Sequence, residues 1–235
     1  MNIKAYYNAL KVILINKINS YTYIGNNVIC QMCGWKGRKF PKNICPKCRS
    51  FARTRLLAYC FSYFSFEKLD EILHVAPSIG EYIFIKNNIK YNRYNTLNLI
   101  KSSHIDIIDD LTNLSIDSNS YNLIIAWHVM EHIPDDDKAI SEMYRILKPG
   151  GNILLCVPIF PKGNNKTFEN KEIDYIDYER IHGHSDHCRS CGLDYFKRFE
   201  SVGFSTETLF VKNLNKKDID YYGLSISHLT WLFTK

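Results

Sequence analysis

Four cysteines near the amino terminus form the pattern C-x2-C-x11-C-x2-C, which constrains the fold more than any other feature. The pairs are Cys30 with Cys33 and Cys45 with Cys48. Each pair predicts a tight backbone turn, and two such turns supply four thiolates in the tetrahedron that Zn²⁺ accepts. Because four protein ligands leave no position for water, we expect a structural zinc ion. It would hold together a segment too short to bury a core of its own.

The arrangement of the cysteines also indicates a reducing compartment. The chain has eight cysteines, and four of them belong to the metal pattern. Because this arrangement differs from a secreted disulfide framework, we expect a cytoplasmic protein. We expect Trp35, Phe40 and Phe51 to cover the zinc ion.

A second group of potential metal ligands lies in segment 182–191, which reads HGHSDHCRSC. Its three histidines and two cysteines are of the types that ligate metals, but no second cysteine pair completes a four-cysteine set. The sequence leaves open whether a second metal binds to His182, His184, His187, Cys188 and Cys191.

Residues 1–27 predict an amino-terminal helix, because Ile3, Tyr7, Leu10 and Leu14 recur at helical spacing. We favour a helix packed on the protein itself, since no cleavage site of small residues follows it. A helix lying on a membrane surface is the alternative. The chain has no apolar run of about 18 residues, so we expect no transmembrane helix. We expect a zinc module over 28–52 and the main domain over 53–235.

The main domain alternates short apolar runs with helical patterns, which is typical of βαβ units on a parallel sheet. Seven strands are predicted at 72–76, 94–99, 105–108, 121–127, 152–157, 206–211 and 229–234. Helices are predicted at 53–64, 137–147 and 193–201. The fold class is therefore α/β, with an open, doubly wound sheet. Such sheets bind ligands at the carboxyl ends of their strands.

Several motifs in this domain resemble class I S-adenosylmethionine (SAM)-dependent methyltransferases, specifically the methyltransferase type 11 group. They are Asp110-Leu111 after the third strand, WHVMEHIPD at 127–135 and LKPGG at 147–151. A bacterial subgroup with an amino-terminal zinc-ribbon-like segment is similar over nearly the whole chain. The matching stretches are CPKCRSFARTR at 45–55, HVAPS at 74–78 and HGHSDHCRSCG at 182–192. The resemblance implies a Rossmann-like methyltransferase sheet of seven strands, with the last pair antiparallel, and SAM as the cofactor.

The resemblance also assigns the cofactor site to the loops that follow the strands. Ala76, Ser78 and Gly80 stand at three positions that are glycines in the family, where backbone amides approach the methionine part of SAM. Asn98 stands where an acidic residue usually binds the ribose, so we expect weaker hydrogen bonds there. The expected cofactor-binding residues are His74, Ala76, Pro77, Ser78, Gly80, Asn98, Asp110, Leu111, Trp127 and His128.

Methyl transfer depends mainly on holding donor and acceptor in line. A base is needed only when the acceptor is a hydroxyl or a protonated amine. His132 and His128 are the first candidates for that base, because a histidine pKa of about 6.5 suits proton removal at neutral pH. The alternative for His128 is packing against the cofactor or capping a backbone group. Asp186 and His187 are the second candidates, and we expect Glu131 to orient the loop.

Three functions are compatible with the sequence. We favour methyl transfer to an O or N atom of a small or sugar-like molecule, with surface-polysaccharide precursors as one candidate class. An RNA methyltransferase with a zinc module is the second, although the net charge of +6 is not clustered and no Asn/Asp-Pro-Pro-Tyr loop follows the fourth strand. The third is a methyltransferase-like binding protein without activity. The acceptor atom and the oligomeric state stay open.

Overall fold

The computed structural model describes residues 3–170 and 172–235. They form two compact units. The amino-terminal unit contains the described residues up to Tyr63 together with Val211–Ile226, and the sheet unit contains Phe64–Phe210 together with Ser227–Lys235. The helix predicted at 53–64 lies in the amino-terminal unit, whereas the sequence placed it at the start of the main domain. The predicted domain boundaries stay a prediction.

The amino-terminal unit surrounds the four cysteines. Its elements are α1 (Ile3–Thr22), β1 (Ile24–Ile29), β2 (Lys36–Gly37), α2 (Ala52–Tyr63) and a further helix, Lys216–Tyr222. The two strands pair antiparallel. Arg55 in α2 is buried, and its guanidinium donates hydrogen bonds to the carbonyl oxygens of Ser50 (2.7 Å) and Gly223 (2.6 Å). It also lies 3.9 Å from the ring centroid of Phe40, so one buried cation connects three segments of this unit.

The sheet unit is built on seven strands. They are β3 (Glu71–Val75), β4 (Arg93–Asn98), β5 (Ile107–Ile108), β6 (Tyr121–Trp127), β7 (Leu147–Cys156), β8 (Ser205–Phe210) and β9 (Leu229–Thr234). Their order across the sheet is β5-β4-β3-β6-β7-β9-β8. β3 to β7 pair parallel with one another, while β9 pairs antiparallel with both β7 and β8. The predicted fold class, including the antiparallel last pair, is confirmed.

Helices of the sheet unit are α3 (Ile79–Asn88), α4 (Asp136–Ile146), α5 (Tyr178–His182) and α6 (Phe196–Glu200). β6 is the central strand, and six of its seven residues are buried because parallel strands in such sheets are covered on both faces. Among the described residues, no helix has both the length and the apolar character needed to cross a membrane.

Several elements differ from the predictions, and β5 has only the second half of the strand predicted at 105–108. β7 begins at Leu147 rather than 152, because the Lys148–Gly151 stretch forms an irregularity in the strand instead of a free turn. Gly150 has a φ of +72° and donates its amide to the carbonyl oxygen of Lys235 (3.0 Å). The helix predicted at 193–201 is the short α6. α3 was not predicted, and it begins with a capping box between Ser78 and Glu81.

A buried ion network ties segment 182–192 to the loop that follows β6. Arg189 is 1% exposed, and its guanidinium donates to the carbonyl oxygens of Met130 (2.7 Å) and Ile133 (2.6 Å). It also pairs with Asp136 (3.1 Å) and Glu169 (2.9 Å). The two segments, more than fifty residues apart in sequence, are therefore fixed against each other.

Candidate functional site

A cavity of about 780 Å³ opens at the carboxyl ends of β3, β4 and β6. This volume lies within the range of about 300–1,000 Å³ that is typical of small-molecule sites. Most of its lining is apolar, with a few polar groups between. The lining residues are Val75, Ala76, Leu97, Asn98, Leu99, Ile100, Asp109, Asp110, Leu111, Thr112, His128, Val129, His132, Ile133, Pro134, Asp135 and Asp186.

Two strands end at the cavity in a left-handed backbone conformation. Ala76, after β3, has a φ of 46°, and His128, after β6, has a φ of 57°. Their amides continue the sheet ladder by donating to the carbonyl oxygens of Leu97 (2.6 Å) and Cys156 (2.8 Å). Residues other than glycine rarely adopt this conformation, which costs of order 1–2 kcal/mol and is found preferentially at functional sites.

The cavity includes five of the ten expected cofactor-binding residues. These are Ala76, Asn98, Asp110, Leu111 and His128. Their contact with a cofactor stays a prediction.

The other five do not line the cavity. Ser78 caps α3, Pro77 accepts a hydrogen bond from His104 through its carbonyl oxygen (3.0 Å), and Gly80 lies in the first turn of α3. The Trp127 side chain is buried within β6. His74 is fully buried and its Nδ1 lies 3.0 Å from the hydroxyl of Tyr94. Burial lowers the pKa of His74 to about 3, so this imidazole is neutral.

Asp109 and Asp110 have different roles although they are adjacent. Both oxygens of Asp109 accept hydrogen bonds within its own turn, from Asp110 and Ser115. Asp110 accepts from Thr112 through Oδ1 alone, at 2.9 Å. The other oxygen of Asp110 has no hydrogen bond from the described residues, so it is available to a ligand in the cavity.

Two lining residues that the sequence reasoning missed follow Asn98 directly. Leu99 is 66% exposed and Ile100 is 75% exposed. Exposed apolar side chains at the mouth of a cavity form a surface that a ligand can cover. The sequence did not set them apart, because the strand predicted at 94–99 includes Leu99.

Glu131 is a further residue whose importance the sequence reasoning underestimated. It is 1% exposed, and its Oε1 accepts a hydrogen bond from Nδ1 of His128 (3.2 Å). This bond favours the His128 tautomer with its lone pair on Nε2, which lies 3.7 Å from the Cys156 sulfur. Glu131 is held in place because the amide of Cys188 donates to its carbonyl oxygen (3.0 Å).

The remaining candidate catalytic residues gather at one rim of the cavity. Nδ1 of His132 lies 3.1 Å from the carbonyl oxygen of Asp186, and the rings of His132 and His187 meet edge to face with centroids 4.8 Å apart. Asp186 also contacts His184. Burial lowers the pKa of His187, so its imidazole is neutral near pH 7. All four predicted catalytic residues, His128, His132, Asp186 and His187, are thus close in space, while their catalytic roles stay predictions.

The four cysteines form a separate cluster in the amino-terminal unit. Their sulfurs lie within 4.8 Å of one another, with Cys30 to Cys48 at 3.6 Å and Cys33 to Cys45 at 3.7 Å. A tetrahedron with Zn–S bonds of about 2.3 Å has S–S edges of about 3.8 Å. The cluster therefore fits a zinc ion.

Each cysteine pair is followed by a residue in the left-handed backbone conformation. Gly34 follows Cys33 with a φ of +71°, and Arg49 follows Cys48 with a φ of +63°. Trp35 and Phe40 are buried, whereas Phe51 is 51% exposed. That these three rings cover the zinc site stays a prediction. The hydroxyl of Ser50, 3.2 Å from the Cys30 sulfur, was not predicted as a neighbour of the ligands.

Comparisons with known proteins agree with this geometry. A family model described as a methyltransferase domain matches residues 43–209. A demethylmenaquinone methyltransferase from Staphylococcus carnosus is 32% identical over 106 residues, which are 40% of this chain and 42% of that protein. The ubiquinone/menaquinone biosynthesis C-methyltransferase UbiE from Pseudoalteromonas translucida is 37% identical over 68 residues, 28% of this chain and 27% of that protein. The matches thus span less than half the length of these relatives.

A solved structure supports the same fold. The SAM-dependent methyltransferase from Mesorhizobium loti superposes with a TM-score of 0.55 at 11% identity, covering 77% of this chain and 98% of that one. At this identity the likeness concerns the fold alone. The family model covers well over half of the sequence, and the chain therefore belongs to the methyltransferase domain family.

Proposed function

We propose that this protein transfers the methyl group of SAM to an O or N atom of a small molecule. The observation that carries the proposal is the cavity at the ends of β3, β4 and β6, where Asn98, Asp110 and His128 meet in a mostly apolar lining. Ligands of doubly wound sheets bind at this edge. Membership in the methyltransferase domain family makes SAM the cofactor that this cavity is expected to bind.

The distribution of polar and apolar groups supports one orientation of the cofactor. The free oxygen of Asp110 can accept a hydrogen bond from the adenine amino group, while Leu99, Ile100 and Leu111 supply apolar surface for its ring. Asn98 can bind the ribose hydroxyls.

The acceptor would bind at the rim that His132 and Asp186 line. In the transfer, a lone pair of the acceptor atom forms a bond to the methyl carbon while the bond from that carbon to sulfur breaks. S-adenosylhomocysteine leaves as a neutral thioether. A hydroxyl acceptor also loses a proton, and His128, His132, Asp186 and His187 are the groups near this rim that can handle it.

The four cysteines would hold a structural zinc ion. Four thiolates complete the coordination of zinc and leave no position for a substrate. The distances between the sulfurs match a zinc tetrahedron. The Ser50 hydroxyl lies within 3.3 Å of both Cys30 and Cys48, where it can donate to a thiolate and orient it.

Calorimetric titration of the whole chain with SAM tests the proposed activity. We expect micromolar binding, weakened about 10-fold or more in Asp110→Asn, because a hydrogen bond to a charged acceptor contributes about 1.5–3 kcal/mol. The variant keeps an oxygen that can accept from Thr112, and Asp117→Asn, on the exposed loop before β6, is the matched control. Absence of binding heat in the wild type would favour the non-catalytic binding protein instead.

Product analysis then tests the acceptor class. SAM with a ¹³C-labelled methyl group is incubated with panels of hydroxylated and amine-bearing small molecules. The carbon chemical shift of the product distinguishes methyl groups on oxygen, nitrogen and carbon. A methyl group on carbon would contradict the O or N assignment and would favour an acceptor like the quinones in the names of the two relatives.

A further inference from the structure

Three side chains with metal-binding atoms meet at the acceptor rim of the cavity. They are Glu131, His132 and His187, which we call the histidine cluster. One possible ligand atom from each lies within 4.8 Å of the other two, and Nε2 of His132 is 4.0 Å from Oε1 of Glu131. Ligands at about 2.0–2.2 Å from a shared ion are at most about 4.4 Å apart. Small side-chain rotations therefore suffice to bring the three atoms onto one ion.

Hydrogen bonds to the backbone leave Nε2 of both imidazoles free. Nδ1 of His132 faces the carbonyl oxygen of Asp186 (3.1 Å), and Nδ1 of His187 faces the carbonyl oxygen of His182 (3.3 Å). A carbonyl oxygen only accepts, so each Nδ1 must be the donor and each Nε2 carries the lone pair. Histidines that ligate metals are oriented in this way, by a carbonyl or carboxylate on the other nitrogen.

Glu131 supplies the independent observation. Its side chain is 1% exposed, and its Oε2 is buried without a hydrogen-bond partner among the described residues. Within the same part of the chain, its only ion-pair partners are His128 and His132, both charged only when protonated. A buried carboxylate is costly unless it is paired or coordinates a metal. One oxygen of this buried side chain is therefore available to a cation, and the other lies near His128 and His132.

We propose that the histidine cluster binds a divalent transition-metal ion, and specifically Zn²⁺, at the acceptor rim of the cavity. Two histidines and one glutamate form a set that catalytic zinc accepts while it keeps a position open for another ligand. This position would face the cavity, because His132 lines it. His128 would orient the glutamate from behind through its 3.2 Å hydrogen bond.

The ion would select an acceptor with a hydroxyl that can bind it, an assignment that rests on the proposed function. Binding to a divalent ion lowers the pKa of an oxygen ligand, so the hydroxyl releases its proton to solvent. The resulting oxygen anion then bonds to the methyl carbon as the carbon–sulfur bond breaks. In this arrangement Nε2 of His132 is a ligand, and no free imidazole is required as base.

His184, Asp186 and His187 form an alternative set of possible ligands. It is more exposed, with the side chains of His184 and Asp186 about 60% accessible, and it contains no buried atom without a partner. Exposed pairs of this kind are common without a metal. The two sets share His187, so variants of the other members distinguish them.

The test uses the whole chain with its cysteine site filled by zinc, titrated with Co²⁺. We expect one additional Co²⁺ per chain at micromolar affinity or tighter, with no thiolate-to-cobalt absorption band and no loss of zinc. His132→Ala and Glu131→Gln should each weaken Co²⁺ binding more than about 10-fold, since loss of an outer-shell partner alone costs 10–100-fold. His184→Ala is the matched control and should bind Co²⁺ as the wild type does.

The result that overturns the proposal is a wild type that binds no additional Co²⁺, or a site lost in His184→Ala but kept in His132→Ala. Titration of the same samples with S-adenosylhomocysteine separates this inference from the proposed function. Cofactor binding without Co²⁺ binding refutes the metal site alone, whereas Co²⁺ binding without cofactor binding refutes the methyltransferase activity. Retained zinc and an unchanged circular dichroism spectrum show that each variant is folded.

Discussion

The four-cysteine cluster and the histidine cluster are both groups of potential metal ligands, but the chain builds them differently. The cysteines come from two short turns within residues 30–48, and each turn is fixed by its own backbone. The histidine cluster joins the loop after β6 to a segment more than fifty residues later. The first site is therefore local, whereas the second exists only when the surrounding fold is complete.

The two clusters also differ in the number of their ligands and in their access to other molecules. The four sulfurs lie beside the buried Trp35 and Phe40, and each can face the same ion. Four thiolates complete the zinc coordination, which suits a structural role. The histidine cluster has three ligands and lies at the rim of an open cavity, which leaves room for an acceptor. Ligand number and access thus separate a site that stabilises from a site that can react.

The largest effect is expected from loss of a cysteine ligand. Cys45→Ser removes one of four thiolates, and structural zinc in small modules contributes about 10–16 kcal/mol of apparent binding free energy. In protein whose histidine cluster is empty, we expect the zinc content to fall from one ion per chain to none. We also expect residues 30–50 to become sensitive to trypsin. Mass spectrometry of tryptic fragments measures this change.

Cys60→Ala is the control for that variant. Cys60 is buried in the same unit but lies outside the four-cysteine cluster. It should retain zinc and protection from trypsin. Zinc retained in Cys45→Ser would instead mean that the four sulfurs are not the ligands.

The second largest effect tests whether the histidine cluster depends on tertiary structure. Arg189→Met removes the buried guanidinium that binds the carbonyl oxygens of Met130 and Ile133, and it leaves Asp136 and Glu169 with Arg198 as their remaining cation. Breaking a buried ion pair in this way costs about 3–5 kcal/mol. Urea unfolding followed by tryptophan fluorescence measures the loss.

An exposed arginine provides the comparison. Arg180 pairs with Asp177 at the surface, so Arg180→Met should cost less than about 1 kcal/mol. Equal losses in the two variants would show that the loop after β6 does not need Arg189. Zinc at the four cysteines should be unaffected in both.

The sequence predicted the local site more completely than the assembled one, for a physical reason. Cysteine spacing determines which sulfurs can meet, so all four possible ligands were identified from the pattern alone. The burial of Glu131 depends on Cys188 and Arg189, which approach only in the folded sheet unit. A glutamate in a polar loop motif gives no sign of this burial.

The strands of the sheet could be located from the sequence, but the direction of their side chains could not. Apolar runs of four to seven residues defined the strands, and β6 and β9 were placed with their observed bounds. His74 was assigned to the cofactor site because the family resemblance places it at a position that is usually acidic. β3 is buried on both faces, so its sequence does not indicate which side chains turn away from the cavity.

A third prediction concerns the response of the sheet unit to acid, which His74 should dominate. His74 is neutral when folded, with its pKa lowered to about 3, while an unfolded histidine has a pKa of about 6.5. The unfolded state thus binds the extra proton below pH 6.5, and the free energy of unfolding falls as the pH falls. Between pH 6.5 and pH 5 this loss amounts to about 2 kcal/mol.

His74→Gln sharpens this prediction, because glutamine does not titrate but can still bond to Tyr94. The variant should have a shallower dependence of unfolding free energy on pH between 7 and 5 than the wild type. His104→Gln is the control, since His104 is less buried and lies outside the core. Parallel slopes for wild type and His74→Gln would show that His74 can be charged in the folded protein. Zinc release from the cysteines, measured separately, reports on acid effects in the other unit.

The smallest effect is expected at Asn98, where the cavity departs from the acidic residue usual in the family. Asn98→Asp would replace a neutral acceptor by a carboxylate toward the ribose hydroxyls. A hydrogen bond to a charged group is stronger than a neutral one by about 1 kcal/mol, which corresponds to an approximately 5-fold lower dissociation constant for SAM. Asn119→Asp makes the same substitution at an exposed residue outside the cavity, and it controls for the added charge. Calorimetry at several salt concentrations measures both. Weaker SAM binding in Asn98→Asp would contradict a contact between residue 98 and the ribose hydroxyls, because a carboxylate is the stronger acceptor for them.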